Sequence, residues 1–478
     1  MKKNQLFSVL MASALLVSVG EASVYAAAGP GSGKTPTVKT SAKAAVKVKE
    51  GVKAWTVNGA QTTFKTVDAG GYKLYSISQL AASLGASIAN ESGSLVLKDR
   101  AGLHTIKLKA GSKSYSLDGE KRNFTTAPTV SGGKLYVELS AIVYGLGGEL
   151  FGSPLQILGA ARPQGEFDTL HWAADGTVLA NLEGETAQVY KFAANPGSYG
   201  LFSSDERASD FSVSADRRYG AFTDETGLLY VIDLTSGAVK PLGTDTATKT
   251  DLTWSADGTS IYYIQGDKQE KISQISVDTG TVKELLADKV ENKSELRISA
   301  DGKRAVYIVN ITGSAKNDAD STEDSLTIDY SKAGEQLYQL DLATKDAKPA
   351  ALTTSDDNKL YPEILADGTV VYLSADPEGK TANALKTVKP DGTAANIALD
   401  IEVTWAQAAG GGIIASGTAA DGTSRIYSVP VSGSAQELFR TKADISEVSV
   451  SADGGKLAVI TGGKLVEIEN GKAVQLTR

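Results

Sequence analysis

The chain has 478 residues, a formal charge of −8 and 41% apolar residues, which is too long for one ordinary core and apolar enough to build two or more. It contains no cysteine, so disulfides, zinc–thiolate sites, iron–sulfur clusters and thiol nucleophiles are excluded. His104 and His171 are its two histidines, which excludes a three-histidine metal site, and the acidic balance argues against nucleic acid or anionic lipid as partner.

In chain order, residues 1–28 read as a secretory signal. Lys2 and Lys3 precede an apolar stretch from Leu6 to Val19, and Ala26, Ala27 and Ala28 offer a small-residue cleavage site. That stretch is short for a bilayer span, and no later segment reaches the roughly 18 apolar residues that a spanning helix needs. The mature chain is therefore expected to be bacterial, secreted and possible to retain at the cell wall, with no integral membrane segment. Residues 29–50 form a Gly/Ser/Thr/Lys-rich linker, a solvated flexible spacer whose lysines (Lys34, Lys39, Lys43, Lys47 and Lys49) offer, as an alternative role, attraction to an anionic cell-wall polymer. Within it, Ala28 to Thr35 satisfies a relaxed phosphate-loop pattern. No buried strand delivers its glycines and Thr35-Pro36-Thr37 follows instead of a helix, so no nucleotide is expected.

Residues 51–158 contain a duplication with a period of about 60. Val57-Asn58-Gly59 recurs as Leu117-Asp118-Gly119, each a hairpin signal between alternating strands. A second hairpin and a short amphipathic helix follow each copy, closed by Leu84-Gly85 and Leu146-Gly147, where a left-handed residue ends a helix. This pattern resembles the domain named for the N-terminus of copper amine oxidases, also called a stalk domain. The second copy keeps the family's Tyr-Val-x-Leu spacing at Tyr136 to Leu139, with Glu138 in place of the usual Pro. The resemblance implies a surface or cell-wall interaction module of small α+β fold. It does not imply oxidase activity, because the three histidine ligands and the Asn-Tyr-Asp/Glu tyrosine of that chemistry are missing; no cofactor or metal is expected.

From residue 165 to 478 a second repeat takes over: an apolar strand, Ser-Ala-Asp-Gly, then another apolar strand. Its anchors are Asp175, Asp216, Asp257, Asp301, Asp367, a degraded Ala408 and Asp453, spaced 41–45 residues apart with one interval of 66. Asp-Gly suits the tight corner between antiparallel strands, because Asp bonds its own backbone and Gly accepts positive φ. Strands of this length at this period predict four-stranded propeller blades, and seven units predict a seven-bladed β-propeller, mainly β overall. The repeat resembles the Trp-Ser-Pro-Asp-Gly motif of TolB-type propellers, with Ala replacing Pro. The long interval holds an insertion around 312–335 whose clustered acids, Lys316 to Asp324, lack the glycine of a calcium loop and read as solvated.

No Gly-x-Ser-x-Gly elbow and no sialidase box occur, and no hydrolase domain follows the last repeat. The turn aspartates Asp175, Asp216, Asp257, Asp301, Asp367 and Asp453 are expected to be structural, and Trp172, Trp254 and Trp405, at one repeat position, to be packing residues. Six residues before the anchors, where the innermost strand begins, stand Asp210, Asp251, Glu295, Glu402 and Glu447, with Thr169 and Tyr361 in the other two units. Superposed blades would ring one channel mouth with five carboxylates, a negative focus suited to a cation or basic peptide. The competing reading is that each polar residue starts a strand and spends its charge on nearby backbone N–H groups. The expected function is an exported non-enzymatic scaffold. Its channel face would bind an extracellular protein, a peptide or a cell-wall glycan, and its N-terminal domain would tether it to the cell surface. The alternative is an exported propeller glycoside hydrolase or lyase using two channel carboxylates. On the first reading, alanine at Glu295 and Glu447 should leave folding intact and weaken partner capture.

Overall fold

A computed structural model describes residues 48–478 except 195, 313, 317–326, 330–333, 410 and 431–433. The expected signal (1–28), the linker as far as residue 47 with its phosphate-loop-like stretch, and residues 317–324 of the acidic insertion lie outside the described residues. The chain is mainly β, with two seven-residue helices, and divides into two compact units, one ending at Ala161 and the other spanning Arg162–Arg478. Among the described residues no helix is long and apolar enough to cross a membrane.

The first unit shows how the duplication folds. Both Asx-Gly pairs make the expected tight hairpins, with Asn58 and Asp118 at φ 47° and 52° and Gly59 and Gly119 at 81° and 90°. The helices Ile77–Ser83 and Leu139–Gly145 end as predicted, at Gly85 and Gly147 with φ 71° and 78°. The copies do not make two lobes. The first hairpin, Lys49–Val57 with Ala60–Ala69, lies in a seven-stranded sheet that also takes Tyr72–Ser76, Lys134–Val137, Thr129–Ser131, Glu149–Phe151 and Gln156–Leu158. The equivalent hairpin, Ser114–Leu117 with Glu120–Asn123, lies in a five-stranded meander with Ser87–Glu91, Ser94–Lys98 and Thr105–Leu108. Phe64, Leu80, Leu97, Ile106 and Ile142 of both sheets and both helices share one core. Lys49 and Glu50, expected in the linker, belong to the first strand. Its first six residues, Lys49 to Ala54, are exposed on both faces, so no apolar–polar alternation marks the start of the strand.

The second unit is built of seven four-stranded antiparallel sheets in succession, each in sequence order except that the fourth admits the inserted hairpin Ser314–Lys316 with Thr327–Asp329 before its third strand. The first strands are Phe167–Trp172, Ser212–Val213, Lys249–Trp254, Lys293–Ile298, Asn358–Ile364, Ile401–Ala409 and Ile445–Val450. The Ser-Ala-Asp-Gly corner explains itself chemically. The Ser255 hydroxyl donates to Asp257 at 2.6 Å and accepts from Ser260 N at 3.0 Å, while Asp257 also accepts from Thr259 N at 3.0 Å. Ser214, Ser299 and Ser451 repeat this closure with Asp216, Asp301 and Asp453, and the serine holds each of the last two carboxyls below its ordinary range, as it does Asp257. Where the motif is degraded at Ala408, the first strand runs on four residues further, to Ala409, and the turn at Gly411 falls two residues later than the corner glycines.

Packing between sheets closes a cycle. Leu179 and Val189 of the first sheet pack with Phe211 and Ile232 of the second, and comparable clusters join each following pair. The last cluster joins Ala458, Ile460 and Leu465 of the seventh sheet to Phe167, Trp172 and Val178 of the first. Indole N–H groups stitch the inner strands: Trp172 donates to Ser449 O at 3.1 Å, and Trp254 to Ser212 O at 2.9 Å. Beside the cycle, Arg478 N donates to Pro163 O at 2.8 Å and Arg162 Nη1 to Thr477 O at 3.1 Å. This is the packing of a β-propeller.

Three consecutive sheets begin with a buried lysine eight residues before the anchor. Lys249 Nζ donates to the carbonyls of Gly227, Asp245 and Ala247 at 2.7–2.9 Å. Lys293 Nζ donates to Glu270 O at 3.0 Å, to Asp288 Oδ1 at 2.8 Å and to Val290 O, and Lys359 Nζ donates to Ser355 O and Asp357 O. Each ammonium acts as an internal cation that satisfies loop carbonyls. Lys293→Met should therefore strand Asp288 and two carbonyls and cost about 3–5 kcal/mol, measured as a lowered urea midpoint at unchanged slope.

Candidate functional site

The first strand of each sheet carries the candidate positions, and its local geometry decides what they do. In four sheets the residue six before the anchor is left-handed, Thr169, Asp251, Glu295 and Tyr361 having φ between 50° and 55°. Pairing with the second strand slips at these points, between Asp168 and His171, Thr250 and Thr253, Ser294 and Arg297, and Leu360 and Glu363. The position is a β-bulge, whose extra residue leaves its N–H without a partner in the ladder.

Neighbouring carboxylates supply that partner. Asp251 Oδ1 accepts from Glu295 N at 2.7 Å, Glu295 accepts from Tyr361 N, and Glu447 accepts from Thr169 N at 2.8 Å and from Leu170 N. Three of the five predicted ring residues thus hold the bulge of the next sheet, and Glu447 does so between the last sheet and the first. Burial pushes the Glu295 and Glu447 carboxyls above their usual range, with the accepted N–H bonds pulling back. Alanine at either position removes these acceptors from the bulge N–H groups, so each change is expected to weaken the fold as well as any partner capture.

The other two candidates are more open. Asp210 has an 80% exposed side chain whose Oδ1 lies 3.6 Å from His171 Nε2, a charge contact longer than a hydrogen bond, and the imidazole holds its carboxyl below the ordinary range. Glu402 is exposed. The five do not converge on one point: Asp210 and Asp251 share a hollow of about 390 Å³, while Glu447 lines a separate one of about 330 Å³ with Tyr361 and Trp405. Among the described residues no group of three or more potential metal ligands comes together.

A further hollow, of about 540 Å³, is lined instead by residues four before the anchors: His171, Ser212, Thr253, Arg297, Glu363 and Ser449. Arg297 Nε faces Glu363 Oε1 at 3.4 Å, and burial raises the Glu363 carboxyl against the pull of that guanidinium. His171 stacks on Phe211 at 4.5 Å, and its Nε2 has no hydrogen-bond partner among the described residues. Trp254 and Trp405 also line the hollow, so two of the tryptophans predicted to pack do so at its wall. The set offers hydroxyls, one ion pair and indole edges: equipment for holding a polar ligand. Sequence reasoning singled out the bulge and missed this row two residues further on. The signal for it was present, since alternate residues of a strand share a face, but the bulge shifts that alternation.

Residues 56–151 match the family model of the copper amine oxidase N-terminal domain. Comparison with curated proteins gives no match. Among solved structures the chain is similar to an oligogalacturonate lyase from Vibrio parahaemolyticus, at 13% identity over 66% of this chain and 86% of that one with a TM-score of 0.46. It is also similar to a TolB candidate from Agrobacterium tumefaciens, at 18% identity over 48% and 79% with a TM-score of 0.35. A third is the Cps50 (Swd1) β-propeller domain of Myceliophteria thermophila, at 14% identity over 55% and 83% with a TM-score of 0.39.

Glu447→Ala should cost about 1–3 kcal/mol through its two orphaned amides. Because the folded pKa of Glu447 is raised, the native chain keeps this proton where the unfolded chain has released it. That contribution to stability is full at low pH and declines as pH rises from the ordinary glutamate value through the raised one. In Glu447→Gln the decline should vanish, as read by urea denaturation from about pH 4 to 7.

Proposed function

We propose that the seven sheets are the blades of one closed propeller and that the chain is an exported, non-enzymatic binding protein. The channel face captures a basic segment of an extracellular protein or peptide, and the N-terminal unit tethers the propeller at the cell surface. The observation that supports this most is the division of labour among the acids. Asp251, Glu295 and Glu447 are engaged with backbone, whereas Asp210 and Glu402 are left exposed at the same repeat position. Exposed charges at a rim steer and select partners rather than drive chemistry.

A second reading, a channel glycoside hydrolase or lyase, is favoured by the raised carboxyls of Glu363 and Glu447, since a general acid must keep its proton near neutral pH. The readings separate on one preparation of the full chain. With a fluorescent oligo-arginine peptide at low salt, Asp210→Asn combined with Glu402→Gln should weaken binding about tenfold without moving the melting temperature. Unchanged affinity would sink the scaffold reading. Turnover of a glycan panel that Glu363→Gln abolishes would establish the enzyme in its place.

A further inference from the structure

We infer that the outer face of the five-stranded meander is a binding surface for a linear, hydroxylated polyanion, an acidic polysaccharide or a polyol-phosphate polymer. The inference rests on the tether reading above and names the surface that would do the tethering.

Register places the surface. Val96, Lys107, Ser116 and Lys121 are successive cross-strand partners, so their side chains leave the sheet on one side, and Ser94, Lys109 and Ser114, two residues along, share it. Leu97, Ile106, Leu108 and Leu117 point the other way into the core. On the outer side lies a hollow of about 470 Å³ lined by Lys107, Lys109, Lys121, Ser94, Ser114 and Ser116, with Glu91 as the one carboxylate in its lining. Among the described residues Lys73 pairs with Asp68 and Arg122 with Glu120, and none of the three lysines takes part in an ion pair.

Lysines protect exposed sheet edges against pairing, which accounts for Lys121 on the edge strand Glu120–Asn123 but not for Lys107 on Thr105–Leu108, the central strand of the five. The three cations gather round a hollow whose lining holds Glu91 as its one carboxylate, in a chain of net charge −8. Strand geometry spaces them roughly 7 Å apart along a strand and roughly 10 Å apart across two strands, a layout for a polymer with one charge per repeat unit. Between the cations the face presents serine hydroxyls, partners for sugar or polyol hydroxyls. Its one aromatic lining residue, Tyr115, is already stacked on Phe124 at 4.3 Å, which favours a glycan-type chain over single-stranded nucleic acid.

The test uses the full chain with alginate (carboxylate) and poly(glycerol phosphate) (phosphodiester) as probes, dextran as neutral control and single-stranded DNA as competitor. At least one anionic probe should be retained, with affinity falling steeply with salt. Lys107→Gln/Lys109→Gln/Lys121→Gln should lower affinity by roughly 10–100-fold and flatten the salt dependence by about one unit of slope per lysine removed, at an unchanged melting temperature. Which probe binds identifies the source of the charge. Wild-type retention by the triple variant, equal retention of dextran, preference for DNA, or failure of both anionic probes each overturns the inference. The Asp210→Asn/Glu402→Gln variant should bind these polymers normally. Unchanged peptide affinity in that variant, with polymer retention intact, therefore counts against the channel reading alone, and recovery of the chain from the cytoplasm would end the tether role without altering polymer binding in vitro.

Discussion

A four-stranded sheet with two apolar faces cannot bury itself, and the second unit is organised around that constraint. Each sheet lends one face to the cluster before it and the other to the cluster after it, so no cluster is complete until its neighbour is present. The constraint is met without a leftover face because the seventh sheet completes the first, through Ile460 and Leu465 against Phe167 and Trp172. Burial of this kind is non-directional and stabilises in proportion to the area removed from water. It explains why sheets with such different sequences tolerate the insertion in the fourth and the lost corner in the sixth.

Directional chemistry then fixes what hydrophobic packing leaves loose. Loops that enter the first strands are gathered by lysine ammonium groups at Lys249, Lys293 and Lys359, each reaching several carbonyls at once. Bulges on those strands are gathered by carboxylates of the neighbouring sheet. Buried charge is costly unless it is hydrogen-bonded, and in both devices the compensating partners are backbone groups that would otherwise lack their own. The same arrangement sorts charges by role: those bonded to backbone hold the architecture, and those left at the rim or on an open sheet face are available to partners.

The two units use charge in opposite ways. In the small unit the face carrying Lys107, Lys109 and Lys121 has no internal use for its cations. In the large unit the acidic positions are half spent on structure and half exposed. A protein that holds a polyanion with one unit and a cationic segment with the other would need this separation, since mixed signs on one surface would neutralise each other before meeting a partner.

The sequence by itself determined the parts whose cause is local. The Asx-Gly hairpins at Asn58 and Asp118, the helix ends at Gly85 and Gly147 and the corners from Ser255 to Asp257 follow from bonds within a few residues. Tertiary structure alone decided what depends on residues far apart in the chain. Glu447 meets Thr169 across 278 positions, so nothing near either residue could reveal that the predicted acidic ring is partly a set of amide acceptors. The bulge moved the hollow from Glu295 to Arg297 and Glu363 by breaking the two-residue alternation that sequence reading assumes. Likewise the duplicated halves of the small unit were plain as repeats, but their hairpins went to different sheets, because a half-buried hairpin takes whichever partner completes its core.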